Sequence, residues 1–468
     1  MAHPYLRKTL LALAIATSQP LFADAVNLTG SQTRLYSNDY SAPLTITGHA
    51  SGEDYAVDLN SSGYSIFPST TNLATLNASG EQAKTLALSG SSIPHPLFGM
   101  EVMMGDLTNG GQISASGGNS SGIFLGNAAI LFSGDLNNSG DIASNGTNAA
   151  GIRLSNLASI YSGGMNNTGN IRASGIGATG VSLSSTAHVS QDLTNNGNIR
   201  AEGLSAKGIE LSAAIVSGYL QNSGHIEAIG ASSTAISLES GSSAQAVGNL
   251  EGGLISARGE NSRGLSIDIG GLLDAPTSLT NHGIIESEGR GSVGVHIDHP
   301  QNLSIVANFG KISAAGEDSR AIRLGSGYPD DPAVFYGLQL INIGTLQADG
   351  IAIEALTSPA NHDPAFSWLQ VDMWTGLIAG EEAAIKGDGN VLLNFEGGEI
   401  RGDLLGLSEI HASGDALFNG RLIQSPTLWV SSLELGQPHT RLEGNLSLSN
   451  SSLDLNLHSQ TDPRRAIL

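Results

Sequence analysis

Leu136-Asn-Asn138-Ser-Gly140-Asp-Ile142, followed by Gly151-Ile-Arg-Leu154, is the stretch that decides the fold, because both of its phrases recur along the chain. The first, Leu-x-Asn-x-Gly-x-Ile, returns from Leu107, Leu193, Leu220 and Leu279, with variants from Met165, Val306 and Leu340. The second returns as Gly122-Ile-Phe-Leu125, Gly180-Val-Ser-Leu183, Gly208-Ile-Glu-Leu211, Ala235-Ile-Ser-Leu238, Gly264-Leu-Ser-Ile267, Gly294-Val-His-Ile297 and Ala321-Ile-Arg-Leu324. From the Ile that closes the first phrase to the first apolar residue of the second is always 10 residues, as in Ile142 to Ile152 or Ile285 to Val295. The return step varies from 17 residues (Ile209 to Ile226) to 20 (Leu265 to Ile285). A repeat of this length can be helical. Here apolar residues alternate at a spacing of 2 and breaks fall at Gly and Asn, which predicts short strands and turns. Stacking each repeat on the next by parallel pairing gives an all-β fold, a right-handed parallel β-helix with coils of about 28 residues.

Parity says what faces inward. Ile152 and Leu154 point to the core, so the residue between them points out, and that column reads Phe124, Arg153, Ser182, Glu210, Ser237, Ser266, His296 and Arg323. It is expected to be solvated. In the first phrase the Asn shares the parity of the core residues, and a buried amide left without partners costs about 1–3 kcal/mol. Stacked amides can satisfy one another, which predicts a ladder of Asn109, Asn138, Asn167, Asn195, Asn222, Asn281, Asn308 and Asn342. Gly252 interrupts the expected series, in a phrase one residue short, and a local defect in the stack is expected there.

Outside the array, Arg7 and Lys8 precede the apolar run Thr9 to Ala16, Pro20 follows, and Ala23-Asp24-Ala25 offers a cleavage site. This is the pattern of a secretory signal peptide, and the run is too short for a membrane anchor. The chain has 468 residues, 61 Gly, no Cys, 5% aromatic and 13% charged residues and a formal net charge of −22. The missing Cys excludes disulfides, thiol catalysis and thiolate metal sites. Five Lys in so acidic a chain exclude a phosphate-neutralising surface, so no nucleic acid is expected as a partner.

The repeating Leu-x-Asn-x-Gly-x-Ile and Gly-Ile-x-Leu phrases behind a signal peptide resemble the passenger region of bacterial autotransporters, which export a right-handed parallel β-helix through their own C-terminal outer-membrane barrel. The resemblance covers most of residues 26–460, including Phe395-Glu-Gly-Gly-Glu-Ile-Arg-Gly-Asp403 and Leu442-Glu-Gly-Asn-Leu446 in the tail. It divides the chain into a signal peptide (1–25), N-terminal irregular coils and cap (26–100), regular β-helix repeats (101–350), irregular coils with an insertion (351–390), C-terminal passenger coils (391–460) and a tail (461–468). The alternating strands of a barrel are missing before Leu468. A translocator barrel supplied elsewhere is therefore the implied partner. With one, the passenger reaches the cell surface or the medium; without one, it stays periplasmic. A truncated fragment that is never displayed is the alternative.

Candidate chemistry is sparse. The return segment enlarges at Gly325 to Leu338 and Thr357 to Trp374, and Tyr328, Phe335, Tyr336, Phe366, Trp368 and Trp374 fall in or beside these insertions. Aromatic residues on loops of a rigid scaffold are natural binding anchors, and covering the core is their bland alternative. Arg401-Gly402-Asp403 matches a tripeptide read by integrins, but it sits inside the repeat-like phrase and reads as structural. His296, Asp298 and His299 lack a repeated His in neighbouring coils and read as no metal site. Asp330-Asp331 reads as a solvated loop. No nucleophile elbow, protease signature, Walker loop or calcium nonapeptide occurs. The expectation is an exported, non-catalytic structural or adhesive stalk that needs no cofactor and binds a ligand on a host or neighbouring cell. A carbohydrate-active enzyme on the same scaffold is the runner-up.

Overall fold

The computed structural model describes residues 24–36, 40, 42–60, 67–89, 102–268, 278–298, 303–325, 337–355 and 369–449. One coil is enough to state the architecture. Strand Leu136–Asn138 runs into a corner, strand Asp141–Asn145 follows, then a turn, strand Ala150–Leu154, a second turn and the short strand Ser159–Ile160. Each strand pairs in parallel with its equivalent one coil on: Asn138 with Asn167, Ile142 with Ile171, Ile152 with Val181 and Ile160 with Val189. The 47 described strands form one continuously wound parallel sheet, a parallel β-helix. Its three main faces carry the Leu-x-Asn, the x-Ile-x-Ala and the Gly-Ile-x-Leu strands.

The core is a set of apolar columns, one residue per coil. Leu107, Leu136, Met165, Leu193, Leu220, Val247 and Leu279 stack on the first face, each at most 2% exposed. Ile113, Ile142, Ile171, Ile199, Ile226, Ile255 and Ile285 do the same on the second. Burying one such side chain contributes about 1.5–3 kcal/mol, and every added coil repeats that gain. The interior is narrow, which explains two of the glycines. A Cβ on Gly151 would lie 2.2 Å from Ile171 Cγ2, and one on Gly140 would lie 2.1 Å from the carbonyl oxygen of Gly111.

The irregularity expected at Gly252 lies in the corner turn, while the Asn ladder runs through it unbroken. Strand Ser243–Asn249 pairs Asn249 with both Asn222 and Asn281, so the coil keeps its inward Asn at a position earlier than the Gly alignment gave. The extra residues are taken up in a turn from Leu250 to Gly253, closed by the Gly253 N–H donating to the Leu250 carbonyl at 2.9 Å. The outward column of the third face also differs from expectation: Phe124, Ser182, Ser237, Ser266 and His296 point outward yet are 4–6% exposed. Long neighbours lie across them. The Lys84 ammonium sits 4.2 Å from the Phe124 ring centroid, Arg153 donates to the carbonyls of Asn119 and Asn148, and Lys207 bridges Glu210 and Glu239.

From Val391 onward the coil contracts. Leu404, Ile423 and Leu442 stack at intervals of 19 residues, and strands lengthen to 11 residues at Val391–Arg401 and Glu409–Asn419. Leu442 is only partly buried, and Leu446 and Leu448 are 41% and 45% exposed, so the core columns run out at the C-terminal end of the described stack.

Candidate partner-binding surface

The corner between the first and second faces is organised by the Asn column. Each described Asn Nδ2 donates to the Oδ1 of the next coil's Asn, giving nine bonds of 2.7–2.9 Å from Asn72 through Asn109, Asn138, Asn167, Asn195, Asn222, Asn249, Asn281 and Asn308 to Asn342. The same amides reach the corner backbone: Asn138 Nδ2 donates to the Gly140 carbonyl at 3.2 Å, and the Asn109 carbonyl accepts from the N–H groups of Ser139 and Gly140. Every polar atom a tight corner exposes inward is thereby paired, which a buried backbone requires. All eight Asn expected from the sequence belong to this ladder. The ladder also includes Asn72 and Asn249, and Asn249, not Gly252, holds the inward position of its coil.

One residue past the ladder the side chain points to solvent, and this column divides in two. From Gly110 through Ser139, Thr168, Asn196 and Ser223 it is small or polar. From Leu250 through His282, Phe309, Ile343 and Trp374 it is large and mostly apolar, with Leu250 37%, Phe309 43% and Trp374 48% exposed. His282 and Phe309 stack, their centroids 4.6 Å apart and their planes 4° from parallel, so the rings turn their edges rather than their faces outward. The adjoining column on the second face widens the ridge with Leu254, Ile284 (42% exposed) and Leu377 beside the exposed Lys311. The coils from Asn109 to Asn222 build the same corner with small or polar residues at this position, so the corner itself does not require the large ones. Exposed apolar stripes mark sites of association. The sequence signal was there only in alignment: one residue per coil, at a fixed step after each ladder Asn.

The remaining candidates are placed as follows. Of the six aromatics, Tyr328, Phe335, Tyr336, Phe366 and Trp368 lie outside the described residues, as do Asp330, Asp331 and His299. Trp374 is described, and it belongs to the corner ridge. The stretches 269–277, 326–336 and 356–368 lie outside the described residues; each follows a strand of the third face, ending at Asp268, Leu324 or Ala355, and precedes a strand of the first, beginning at Ser278, Leu338 or Leu369. Arg401 makes two hydrogen bonds to Glu399 at 2.6 and 2.8 Å, which holds the Glu399 carboxyl below its ordinary pKa. Asp403 Oδ1 accepts the N–H groups of Arg421 and Leu422, so both charged members of that tripeptide are engaged within the solenoid. His296 is buried, with Nε2 3.5 Å from Asp298 and Nδ1 without a hydrogen-bond partner, and burial pushes its pKa down, keeping it neutral. Among the described residues no group of three His, Cys, Asp or Glu is arranged to hold a metal ion.

No family model and no curated protein matches the chain. Among solved structures it is similar to a chain of the Vag8–C1 inhibitor complex, at 13% identity and a TM-score of 0.43, over 90% of this chain and 99% of that one.

Proposed function

We propose that the chain is an exported, autotransporter-type passenger, held at a cell surface by a barrel that another segment or polypeptide supplies, and that it works as a structural or adhesive stalk that binds without catalysing. The observation that carries this reading is the division of labour around the coil. The ladder corner admits almost no length variation, whereas the stretches 269–277, 326–336 and 356–368, outside the described residues, each connect a strand of the third face to one of the first. Rigid scaffolds that carry function on loops are built this way. The ligand is expected on a host or neighbouring cell, and the aromatics of the two large insertions are its proposed anchors.

The test joins the chain to an outer-membrane barrel and displays it. Removal of the leader near Ala25 and surface exposure are expected, together with adhesion that is lost when residues 326–336 are replaced by a short Gly-Ser turn, which leaves the buried strand residue Leu338 in place, while thermal unfolding stays unchanged. Loss of folding in that variant assigns the segment to the core and overturns the binding reading.

A further inference from the structure

The corner column that splits into a small half and a large half is self-complementary, and we infer that two copies of this chain associate antiparallel along it. Both halves advance one strand spacing per coil, so their steps match without adjustment. A two-fold axis at Ser223 brings together coils equidistant from it. Leu250 then meets Asn196 of the second copy, His282 meets its Thr168, Phe309 its Ser139, Ile343 its Gly110 and Trp374 its Leu73, itself 55% exposed. Large faces small at nearly every level, and the two bulky ends, Trp374 and Leu73, cover each other. Because the axis is two-fold, each contact occurs twice, as an isologous interface demands.

Charge selects the same register independently. In the column that begins the second-face strands, from Gln112 to Leu377, Asp141 is the one acidic residue and Lys311 the one ammonium. Both are exposed, and they sit three coils to either side of Ser223, so the axis that pairs Trp374 with Leu73 also sets Lys311 opposite Asp141 of the second copy. Eleven coils at about 4.8 Å give an edge about 50 Å long, so a contact about 16 Å wide reaches the ~800 Å² per partner of a standard interface. The corner and its two flanking columns supply that width. At every coil from Asn109 to Leu377 this corner is continuous within the described residues. An anionic membrane is a poor occupant for a chain of net charge −22, and a sugar finds no open ring face on the stacked His282 and Phe309.

The inference goes beyond the stalk reading and stands apart from it: a chain that dimerises but adheres to nothing overturns that reading and not this one. The absence of native Cys makes the test direct. The purified chain is expected to sediment as a dimer. Under oxidation Ser223→Cys should link to itself, Leu250→Cys alone should not, and a mixture of Leu250→Cys and Asn196→Cys should link across. Lys311→Asp and Asp141→Lys should each weaken the dimer roughly tenfold, two exposed ion pairs being lost per dimer, and the double variant should restore it. Unchanged thermal unfolding of each exposed-site variant separates loss of association from loss of fold. A monomer at high micromolar concentration, self-linking of Leu250→Cys, or failure of the double charge exchange to rescue would each overturn the interface.

Discussion

The coils up to Asn342 and the coils from Met373 onward solve the same corner in opposite ways. The ladder position that holds Asn from Asn72 to Asn342 passes in register to Met373, Phe395, Ala412, Val430 and Leu448. In the first region the corner is a chain of amides that polarise one another and satisfy the turn backbone. In the second it is an apolar stack with long strands and a shorter coil. Parallel pairing is common to both, so the pairing does not require the ladder. What the ladder supplies is a corner that turns within two residues, Ser139 and Gly140 in one coil, because its amides supply partners that the backbone would otherwise need from water. Where strands run on through the corner, as in Val391–Arg401, that service is not needed and dispersion takes over.

The comparison breaks most easily at its apolar end. Phe395 is 1% exposed, and Phe395→Ala should cost about 3–5 kcal/mol by leaving a cavity, measured by denaturant unfolding. Asn195→Ala orphans Asn167 Nδ2 and a Gly197 carbonyl partner and should cost less, about 1–3 kcal/mol. The exchange sharpens the contrast: Met373→Asn, which adds an amide where the next coil offers only Phe395, should destabilise by about 1–3 kcal/mol rather than extend the ladder. An unchanged midpoint in that variant would mean that the two corners are interchangeable.

A smaller effect follows from His296. Its pKa is lowered by burial in the folded chain, so the unfolded chain binds the proton first. Stability should be complete above about pH 6.5, the ordinary imidazole value, and should fall as the pH drops below it. His296→Ser, which places there the residue that Ser266 and Ser237 already supply one and two coils away, should flatten the slope below about pH 6.5. Smallest of all, Asn119→Gly should stay within about 0.5 kcal/mol, since the exposed Asn119 sits at φ 55° where Gly is at ease.

Much of this was legible in the sequence. Alternation and the fixed 10-residue step gave strands, coil and inward Asn, because core columns must repeat chemically from coil to coil. Asn249 was not legible by that route: a turn from Leu250 to Gly253 displaces the Gly from the Asn by an amount no other coil shows. The burial of Phe124 and His296 was not legible either, since parity fixes the direction of a side chain but not whether Lys84 or another long neighbour from an adjacent coil lies across it. The ridge from Leu250 to Trp374 needed the stacking itself, which brings residues about 30 positions apart within one strand spacing.

The central claim is that one coil adds one strand spacing without interruption through the central array. Arg172 and Gln347, both exposed, occupy one column of the second face six coils apart. Spin labels on Arg172→Cys and Gln347→Cys, in a Cys-free chain diluted with unlabelled protein, should report a narrow distance of about 30 Å, six steps of about 4.8 Å. A broad distribution, or a separation far from that value, would contradict the solenoid.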